Sequence, residues 1–391
     1  MQYKVISADN HITEPPGTFI ERVPARFRDR APRILPGDDG GDGWSFDGGE
    51  PRTTFGAGGQ MGGLASPKAK YRGMKWEDIL PGNYDGAAHL KDMELDGIDA
   101  VAVYPLASAA TYAMEDRDLA LACVRAYNDW MIDEFCSVDP SRLLAMCLVP
   151  VDDPMDTILE EVERTAQKGA KEFFLPFYSA RPYWDPYYDP LWKLVSDAGC
   201  PVTIHREHGG KGGTQEGNRG YQGVQLPDSG EIKDSLWVSS TVQRFFSVMG
   251  RITDMIFTGV FDRFPNLKIV NAECNFGWVP FWRQTMDEEW ERHQTTGWTK
   301  MLAVQSPSSY LGRNVFVTIL DDKVGFDLAR TDKGLQEMAM FSNDYPHSVT
   351  LWPRSQEVIA DLTQGMDESA KHAILAGNAI RAFNLDAMAT I

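Results

Sequence analysis

The feature that most constrains the fold is a regular alternation of short β-like runs with longer helical patterns. Eight segments rich in β-forming residues begin near positions 3, 100, 142, 171, 201, 267, 315 and 338, and helical patterns separate most of them. Such alternation is typical of parallel sheets whose strands are joined by crossover helices. We therefore predict an α/β fold, a (β/α)8 TIM-like barrel, with an open doubly wound sheet as the structural alternative.

One segment interrupts this pattern after the first strand. Eleven of the 35 glycines fall between Pro36 and Gly63, mixed with aspartates and with aromatic residues such as Trp44. A glycine-rich stretch is typical of a loop, and its aromatic residues favour packing against another surface. Residues 1–391 are thus expected to form a single domain, in which 36–72 is an insertion or lid over the barrel mouth. A plain surface excursion is the alternative for this segment.

Charge and composition limit the class of partner. Lys and Arg number 38 against 56 Asp and Glu, which gives a formal net charge of −18. Because an acidic surface repels phosphate backbones and anionic lipid, we expect no nucleic acid and no membrane as partner. The five cysteines are scattered without a Cys-x-x-Cys spacing, and neither a signal peptide nor a bilayer-length apolar run is found. We expect a cytoplasmic protein that acts on a small molecule.

A carboxylate and an imidazole end the first predicted strand, at Asp9 and His11. Alternate side chains share one face of a strand, so the two residues point the same way. Such a pair suits a divalent ion such as zinc, manganese or iron. Taken alone the pattern is weak, because a polar strand end in which Asp9 caps the next segment explains it equally well.

Polar side chains also follow the fifth, sixth and eighth predicted strands. They are His205, Arg206 and His208, then Glu273, and finally Asp344 and His347. The catalytic groups of a (β/α)8 barrel lie at the carboxyl ends of its strands, so these side chains are expected to meet at one mouth. Together with His11, these residues include four of the seven histidines of the chain. Their recurrence at several strand ends predicts a shared metal site.

Several of these histidines and acids also have an ordinary explanation. Glu273 could cap the helix that follows it. His208 could support a metal ligand, contact the substrate or simply lie in a loop. His89, His293 and His372 lie in predicted helices flanked by charge, and we expect them to be solvated or structural.

Five features together resemble the amidohydrolase superfamily, and within it the branch of aminocarboxymuconate semialdehyde decarboxylase and the aromatic-acid decarboxylases. They are the Asp-x-His pair at 9–11, the lone histidine at 205, the block at 261–270, the aromatic run at 277–282 and the motif at 343–347. The resemblance implies one or two divalent ions and a homodimer. It implies a metal held by Asp9, His11, His205 and Asp344, with Glu273 as a further candidate ligand.

Glu273 departs from the decarboxylating relatives, which usually place a histidine at this position. The extra carboxylate, with His208 and His347 nearby, could serve a second metal or act as a general base. We therefore expect a metal-dependent hydrolase that uses metal-activated water on an amide, ester, thioester or carbon–carbon bond. Asp344 or Glu273 would accept the proton, and His208 or Arg206 would steady the oxyanion. A non-oxidative decarboxylase of an aromatic or unsaturated acid, and an inactive metal-stabilised binding protein, are the alternatives.

The substrate is expected to be bulky and apolar or aromatic. Small-molecule pockets are usually apolar with few polar anchors, and several aromatic residues lie on the ligand-bearing side of the predicted barrel. The predicted pocket residues are His347, Trp44, Trp76, Tyr104 and Trp278. Core packing is the alternative for tryptophans at helical spacing, as with Trp278 and Trp282.

Overall fold

The computed structural model describes residues 3–51, 55, 70, 73–206, 208–210, 230–297 and 299–385. Eight parallel strands follow one another around a barrel in the order β1-β4-β5-β6-β7-β8-β9-β10, and β2 and β3 form a separate antiparallel hairpin. The strands are β1 (Ile6–His11), β2 (Arg33–Pro36), β3 (Asp42–Ser45), β4 (Ala100–Tyr104), β5 (Leu143–Leu148), β6 (Glu172–Leu175), β7 (Val202–His205), β8 (Ile269–Ala272), β9 (Val315–Ile319) and β10 (Ala339–Phe341).

Backbone hydrogen bonds close the barrel between β1 and the segment that follows β10. The Asp344 N–H donates to the Asp9 carbonyl at 3.1 Å, and the His11 N–H donates to the Tyr345 carbonyl at 2.6 Å. The eight barrel strands lie where the sequence predicts strands. The prediction of a (β/α)8 barrel is therefore confirmed, and the open sheet is excluded.

Helices surround the barrel and connect successive strands. They are α1 (Gly17–Ile20), α2 (Gly86–Asp96), α3 (Arg117–Trp130), α4 (Met155–Lys168), α5 (Asp189–Asp197), α6 (Glu231–Arg244), α7 (Ser247–Phe257), α8 (Val260–Arg263), α9 (Val279–Thr296), α10 (Lys323–Ala329), α11 (Lys333–Met338), α12 (Ser355–Leu362), α13 (Glu368–His372) and α14 (Asn378–Phe383). Local sequence sets their ends. The Asp85 side chain, for example, accepts a hydrogen bond from the Ala88 N–H at the start of α2, and Gly97 ends that helix with a φ of 69°.

The barrel strands are buried along their whole length, as expected for a parallel sheet covered by helices. Most of their residues are apolar. The polar exceptions are informative, because a polar side chain is buried only where it has a partner or a function. Those that bear on the site are Ser7, Asp9, His11, Glu172, Thr203, His205 and Thr318.

The hairpin of β2 and β3 forms the beginning of the glycine-rich insertion. Trp44, in β3, packs edge-on against Phe19 with the ring centroids 5.5 Å apart. Much of the segment 36–72 lies outside the described residues, so its role as a lid stays a prediction.

No helix within the described ranges combines the length and apolar character needed to cross a membrane. All five cysteines carry free thiols.

Candidate metal centre

Four side chains from the ends of three strands converge inside the barrel mouth. The His11 Nε2 atom lies 3.2 Å from Asp9 Oδ1 and 3.5 Å from Asp344 Oδ1. On the other side, His205 Nε2 lies 3.9 Å from Asp9 Oδ2. All four side chains are buried. We call this set the ligand cluster; it comprises Asp9, His11, His205 and Asp344.

The spacing of these atoms matches the coordination sphere of a metal ion. Ligand atoms that each lie about 2 Å from one ion are separated from one another by roughly 3 Å or slightly more. Two groups of ligand-type atoms lie within 4.8 Å of one another: Asp9, His11 and His205 in the first, and His11, Asp344 and His347 in the second. Because His11 belongs to both groups, the two are parts of one continuous cluster.

Many polar atoms of the ligand cluster have no hydrogen-bond partner among the described residues. They are Asp9 Oδ1, both ring nitrogens of His11 and of His205, and both carboxylate oxygens of Asp344. Buried polar atoms in proteins almost always have a hydrogen-bond partner or a metal ion. So many unpaired ligand-type atoms in one place therefore indicate a site for a bound ion. Imidazole and carboxylate are good ligands for zinc, manganese and iron. The residues therefore fit the divalent metal predicted from the sequence.

Burial sets the charge state of the imidazoles. It lowers the pKa of His11 to about 3 and holds the pKa of His205 well below its usual range. Both rings are therefore neutral at pH 7. The neutral form carries the free lone pair that a metal ion requires.

The carboxylates of the cluster are destabilised in the absence of a cation. Burial raises the pKa of Asp9 to about 7 and the pKa of Asp344 well above its usual range. The nearby Glu273 carboxylate raises the pKa of Asp344 further. A divalent cation would favour the ionised carboxylates and reduce their mutual repulsion.

Glu273 and Arg206 form a bidentate ion pair at the edge of the ligand cluster. The Arg206 Nε–H donates to Glu273 Oε2 at 2.6 Å, and its Nη2 donates to Oε1. Glu273 Oε2 also lies 3.5 Å from His205 Nε2, although Glu273 belongs to neither group of ligand atoms within the described part of the chain. Both oxygens of the Glu273 carboxylate thus accept hydrogen bonds from the Arg206 guanidinium.

Arg206 keeps one unused donor group beside the cluster. Its guanidinium lies over the ring of Phe245, 4.3 Å from the centroid, and its Nη1 atom is buried without a partner in the described residues. A buried guanidinium donor that lacks an acceptor is suited to bind an anionic group of a substrate.

Two of the five non-glycine residues with a positive φ in the described part of the chain are predicted site residues. Glu273 and Asp344 have φ angles of 56° and 51°, in the left-handed region that residues other than glycine seldom adopt. Thr318, at the end of β9, accepts a hydrogen bond from the Glu273 N–H at 2.7 Å and donates to Asp9 Oδ2 at 3.2 Å. Thr318 thereby links Glu273 to Asp9. Left-handed backbone conformations such as those of Glu273 and Asp344 are common at functional sites.

The remaining predicted histidines also lie beside the cluster. The His347 ring centroid is 4.2 Å from that of His11, and the His208 centroid is 5.5 Å from that of His205. Burial lowers the pKa of His208 to about 4, and it also holds the pKa of His347 well below its usual range. The structure therefore brings together every charged or histidine residue that the sequence predicts for the site.

The predicted pocket aromatics separate into two groups. Tyr104, at the end of β4, is fully buried with its ring 5.6 Å from His11 and 5.7 Å from His205, so it borders the ligand cluster. Trp278 is one of the side chains around an apolar pocket of about 390 Å³. The pocket is lined by Val242, Phe245, Phe246, Cys274, Asn275, Gly277, Trp278, Asp322 and Val324. Phe245 lies between this pocket and Arg206, no member of the ligand cluster lines the pocket, and Val242, Phe246 and Val324 leave it open to solvent.

Trp44 and Trp76 have a different environment. Their ring contacts within the described residues are with other aromatic side chains of this part of the fold, among them Phe19 for Trp44 and Tyr84 for Trp76. These contacts correspond to core packing, the explanation left open for other tryptophans of the sequence.

Sequence reasoning missed Glu172 and Thr318. Glu172, in β6, is fully buried and accepts a hydrogen bond from the Thr203 hydroxyl. Burial, aided by the charge of Asp9, raises its pKa well above the usual range. The sequence gives no clear signal for it, since a charged residue at the start of a strand reads as exposed. Thr318 has a weak signal, a lone hydroxyl near the end of an apolar strand.

Comparison with known proteins identifies similar folds. An amidohydrolase from Mycobacterium avium subsp. paratuberculosis superposes with a TM-score of 0.70 at 20% identity, over 98% of this chain and 100% of that chain. The 5-carboxyvanillate decarboxylase of Sphingomonas paucimobilis gives 0.65 at 21% identity, over 98% and 99%. The dihydroxybenzoic acid decarboxylase of Polaromonas, with bound manganese and 2-nitroresorcinol, gives 0.60 at 16% identity, over 98% and 98%.

Among curated proteins no sequence matches this chain. A family model described as Amidohydrolase matches residues 82–385, which include the strands that lead to His205, Glu273 and Asp344. The match covers well over half of the chain and confirms the superfamily indicated by the motifs. The chain belongs to the Amidohydrolase family.

Proposed function

We propose that this protein is a metal-dependent decarboxylase of hydroxyaryl carboxylic acids. The observation that carries the proposal is the ligand cluster, in which buried imidazole and carboxylate atoms converge without partners among the described residues. The similarity to solved decarboxylases supports decarboxylation over the hydrolysis that the sequence alone favours. The manganese bound to the Polaromonas decarboxylase supports a divalent ion.

The four members of the ligand cluster would hold the metal. When bound there, a divalent ion would polarise an oxygen of the substrate, and manganese, zinc and iron all suit the ligands. Arg206 would bind the substrate carboxylate through Nη1, its unpartnered donor. Because the Glu273 carboxylate fixes the other side of the guanidinium, Nη1 is held in one place. This orients the carboxylate that is to be lost.

Asp344 is the proposed proton donor. Its two oxygens have no partner among the described residues, so one can face the metal while the other carries a proton. Burial and the neighbouring carboxylates raise its pKa in the metal-free chain, and a bound cation would oppose that shift, so a proton on Asp344 would be given up readily to the substrate. The proton moves to the ring carbon that bears the carboxylate. A π-electron pair of the ring forms the new C–H bond, the bond between the ring carbon and the carboxylate carbon then breaks, its electron pair restores the aromatic ring, and carbon dioxide leaves.

The apolar pocket supports an aromatic substrate. Phe245 lies both in its lining and on Arg206, and Trp278, one of the five residues predicted from the sequence to line a substrate pocket, is also part of the lining. Its volume of about 390 Å³ is enough for a substituted benzene ring. A small-molecule acid is thus the proposed partner, and a homodimer remains a prediction.

Hydrolysis is the second candidate, and Glu273 is the observation that favours it. Its carboxylate lies 3.5 Å from His205 Nε2, where it could accept a proton from an attacking water molecule. The ion pair with Arg206 weakens this candidate, because a carboxylate paired with a guanidinium is a poorer base.

Product analysis distinguishes the two reactions. The full chain would be freed of metal with a chelator, reloaded with Mn²⁺, and incubated with 2,6-dihydroxybenzoate, with 5-carboxyvanillate and with aryl esters. We expect carbon dioxide in equimolar amount to the acid consumed, and loss of this activity in Asp344→Asn. Ester cleavage without carbon dioxide would establish the hydrolase instead. Absence of both reactions with tightly bound metal would support a binding protein.

A further inference from the structure

A buried polar network joins the two strands that meet where the barrel closes. The Asn343 Nδ2 group donates to Asp96 Oδ2 at 2.8 Å. Asp96 also accepts from Ser355, whose backbone N–H is 2.8 Å from Oδ1 and whose hydroxyl is 2.5 Å from Oδ2. We call the set of Ser7, Asp96, Asn343 and Ser355 the seam network. All four side chains are at most 2% exposed.

Ser7 is the member of the seam network that lies in β1. The Asn343 N–H donates to Ser7 Oγ at 2.9 Å, and the same oxygen lies 3.1 Å from Asn343 Oδ1. Ser7 Oγ also contacts the side chain of Asn10. One serine hydroxyl thus connects β1 with Asn343, the second residue after β10.

The position of this network relative to the ligand cluster gives it significance. Ser7 stands two residues before Asp9, and Asn343 directly precedes Asp344. The seam, where β1 meets the segment after β10, therefore has one network residue close to a proposed metal ligand on each side.

Two backbone hydrogen bonds cross the seam beside these ligands, from the Asp344 N–H to the Asp9 carbonyl and from the His11 N–H to the Tyr345 carbonyl, and the seam network adds side-chain contacts to them. The regular pairing of β1 with β4 is interrupted between Ser7 and Asn10, so strand register does not place Asp9. Asp344 lies beyond the end of β10, in a strained left-handed conformation with a φ of 51°. Such a conformation persists only where surrounding contacts impose it.

We propose that Asp96, acting through Asn343 and Ser7, is a positioning residue that sets the separation of Asp9 and Asp344 and with it the affinity for the metal. The inference rests on the proposed metal site. Residues that orient the ligands of a metal ion typically change its affinity by about 10- to 100-fold when they are altered. A network that only supported the fold would change the melting temperature and leave metal affinity unchanged.

The chain offers a matched pair of serines for the test. Ser342 is also buried, stands next to Asn343, and donates its hydroxyl to the Ile319 carbonyl at 3.0 Å. Ser7→Ala and Ser342→Ala each remove one buried hydroxyl near the same seam. The first breaks the seam network and the second leaves it intact.

The measurement is the Mn²⁺ dissociation constant of the full chain by calorimetry, with the melting temperature of the metal-free protein as the second readout. We expect Ser7→Ala to weaken Mn²⁺ binding about 10- to 100-fold and Ser342→Ala to change it less than about 2-fold. The two variants should lose similar thermal stability. Asp96→Asn, which replaces one acceptor oxygen, should also weaken binding and serves if Ser7→Ala does not fold.

Two outcomes would overturn the inference. Equal Mn²⁺ affinity in Ser7→Ala, Asp96→Asn and Ser342→Ala would show that the seam network only supports the fold, while leaving the metal site in place. A wild-type chain that binds no divalent ion would overturn the metal site and the inference together.

Discussion

His89 tests the packing of the protein interior independently of metal content. It lies in α2 and is fully buried, with its ring between those of Phe135 and Tyr345 at centroid distances of 5.5 and 5.1 Å. Its Nδ1 atom is 2.7 Å from the Gly82 carbonyl oxygen. Burial lowers the pKa of His89 to about 4. The ring is therefore neutral in the folded protein at physiological pH.

This shift predicts how stability depends on pH. The unfolded chain binds a proton at His89 below a pKa of about 6.5, whereas the folded chain does not bind it until the pH approaches 4. The contribution of His89 to the stability of the fold is therefore present above pH 6.5 and is lost as the pH decreases from there towards 4. At pH 5.5, one unit below the unfolded pKa, the loss due to His89 is about 1.4 kcal/mol.

The assay is urea denaturation of the metal-free wild type and of His89→Phe at pH 7.5 and pH 5.5, above the isoelectric point near 4.8. At pH 7.5 the variant should be less stable by about 1 kcal/mol, because the hydrogen bond to Gly82 is lost. At pH 5.5 the difference should shift by about 1.4 kcal/mol in favour of the variant. The other histidines titrate in both proteins and cancel. A difference that stays constant with pH would refute the burial of His89.

Three further predictions concern the site and the backbone. Arg206→Ala should lower the free energy of unfolding by about 3 kcal/mol, because it leaves Glu273 without its cation, and adding Glu273→Gln should restore part of the loss in urea denaturation. Mn²⁺ at 100 times its dissociation constant should stabilise the chelated protein by about 2.7 kcal/mol in the same assay, and His205→Ala should abolish the gain. Gly86→Ala should lower the melting temperature, since a Cβ there would lie 2.1 Å from a backbone oxygen, whereas Gly250→Ala, in open space within α7, should raise it. Equal shifts for the two glycine variants would contradict the packing.

The strands and the residues at their ends could be predicted from the sequence because each depends on local pattern. An apolar run followed by His205 or Asp344 marks both the strand and the mouth of the barrel. The convergence of these residues then follows from the geometry of a parallel barrel. For this reason the (β/α)8 fold and the charged residues of the ligand cluster could be identified from sequence.

Pairings between distant residues could not be predicted in this way. The sequence places Glu273 at a strand end but does not reveal that Arg206, from another strand end, binds both of its oxygens. The expectation of a hydrolase depended on Glu273 as a free carboxylate. Likewise Ser7 and Asn343 lie 336 positions apart, and only the closure of the barrel brings them together.

The roles of aromatic residues are also difficult to predict from sequence. Trp44 and Trp278 were predicted to line the pocket for the same reason, because each is an aromatic residue in a region predicted to lie near the barrel mouth. Trp44 packs on Phe19, while Trp278 lines the apolar pocket. A large apolar ring suits a core and a substrate pocket equally, so its partners decide its role.

Anomalous diffraction at the manganese edge, from crystals of the full chain grown with Mn²⁺, tests the metal site most directly. We expect a strong peak within about 2.5 Å of ligand atoms from Asp9, His11, His205 and Asp344. Density for an ordered ligand cluster with no manganese peak among these four side chains would contradict the proposed metal centre.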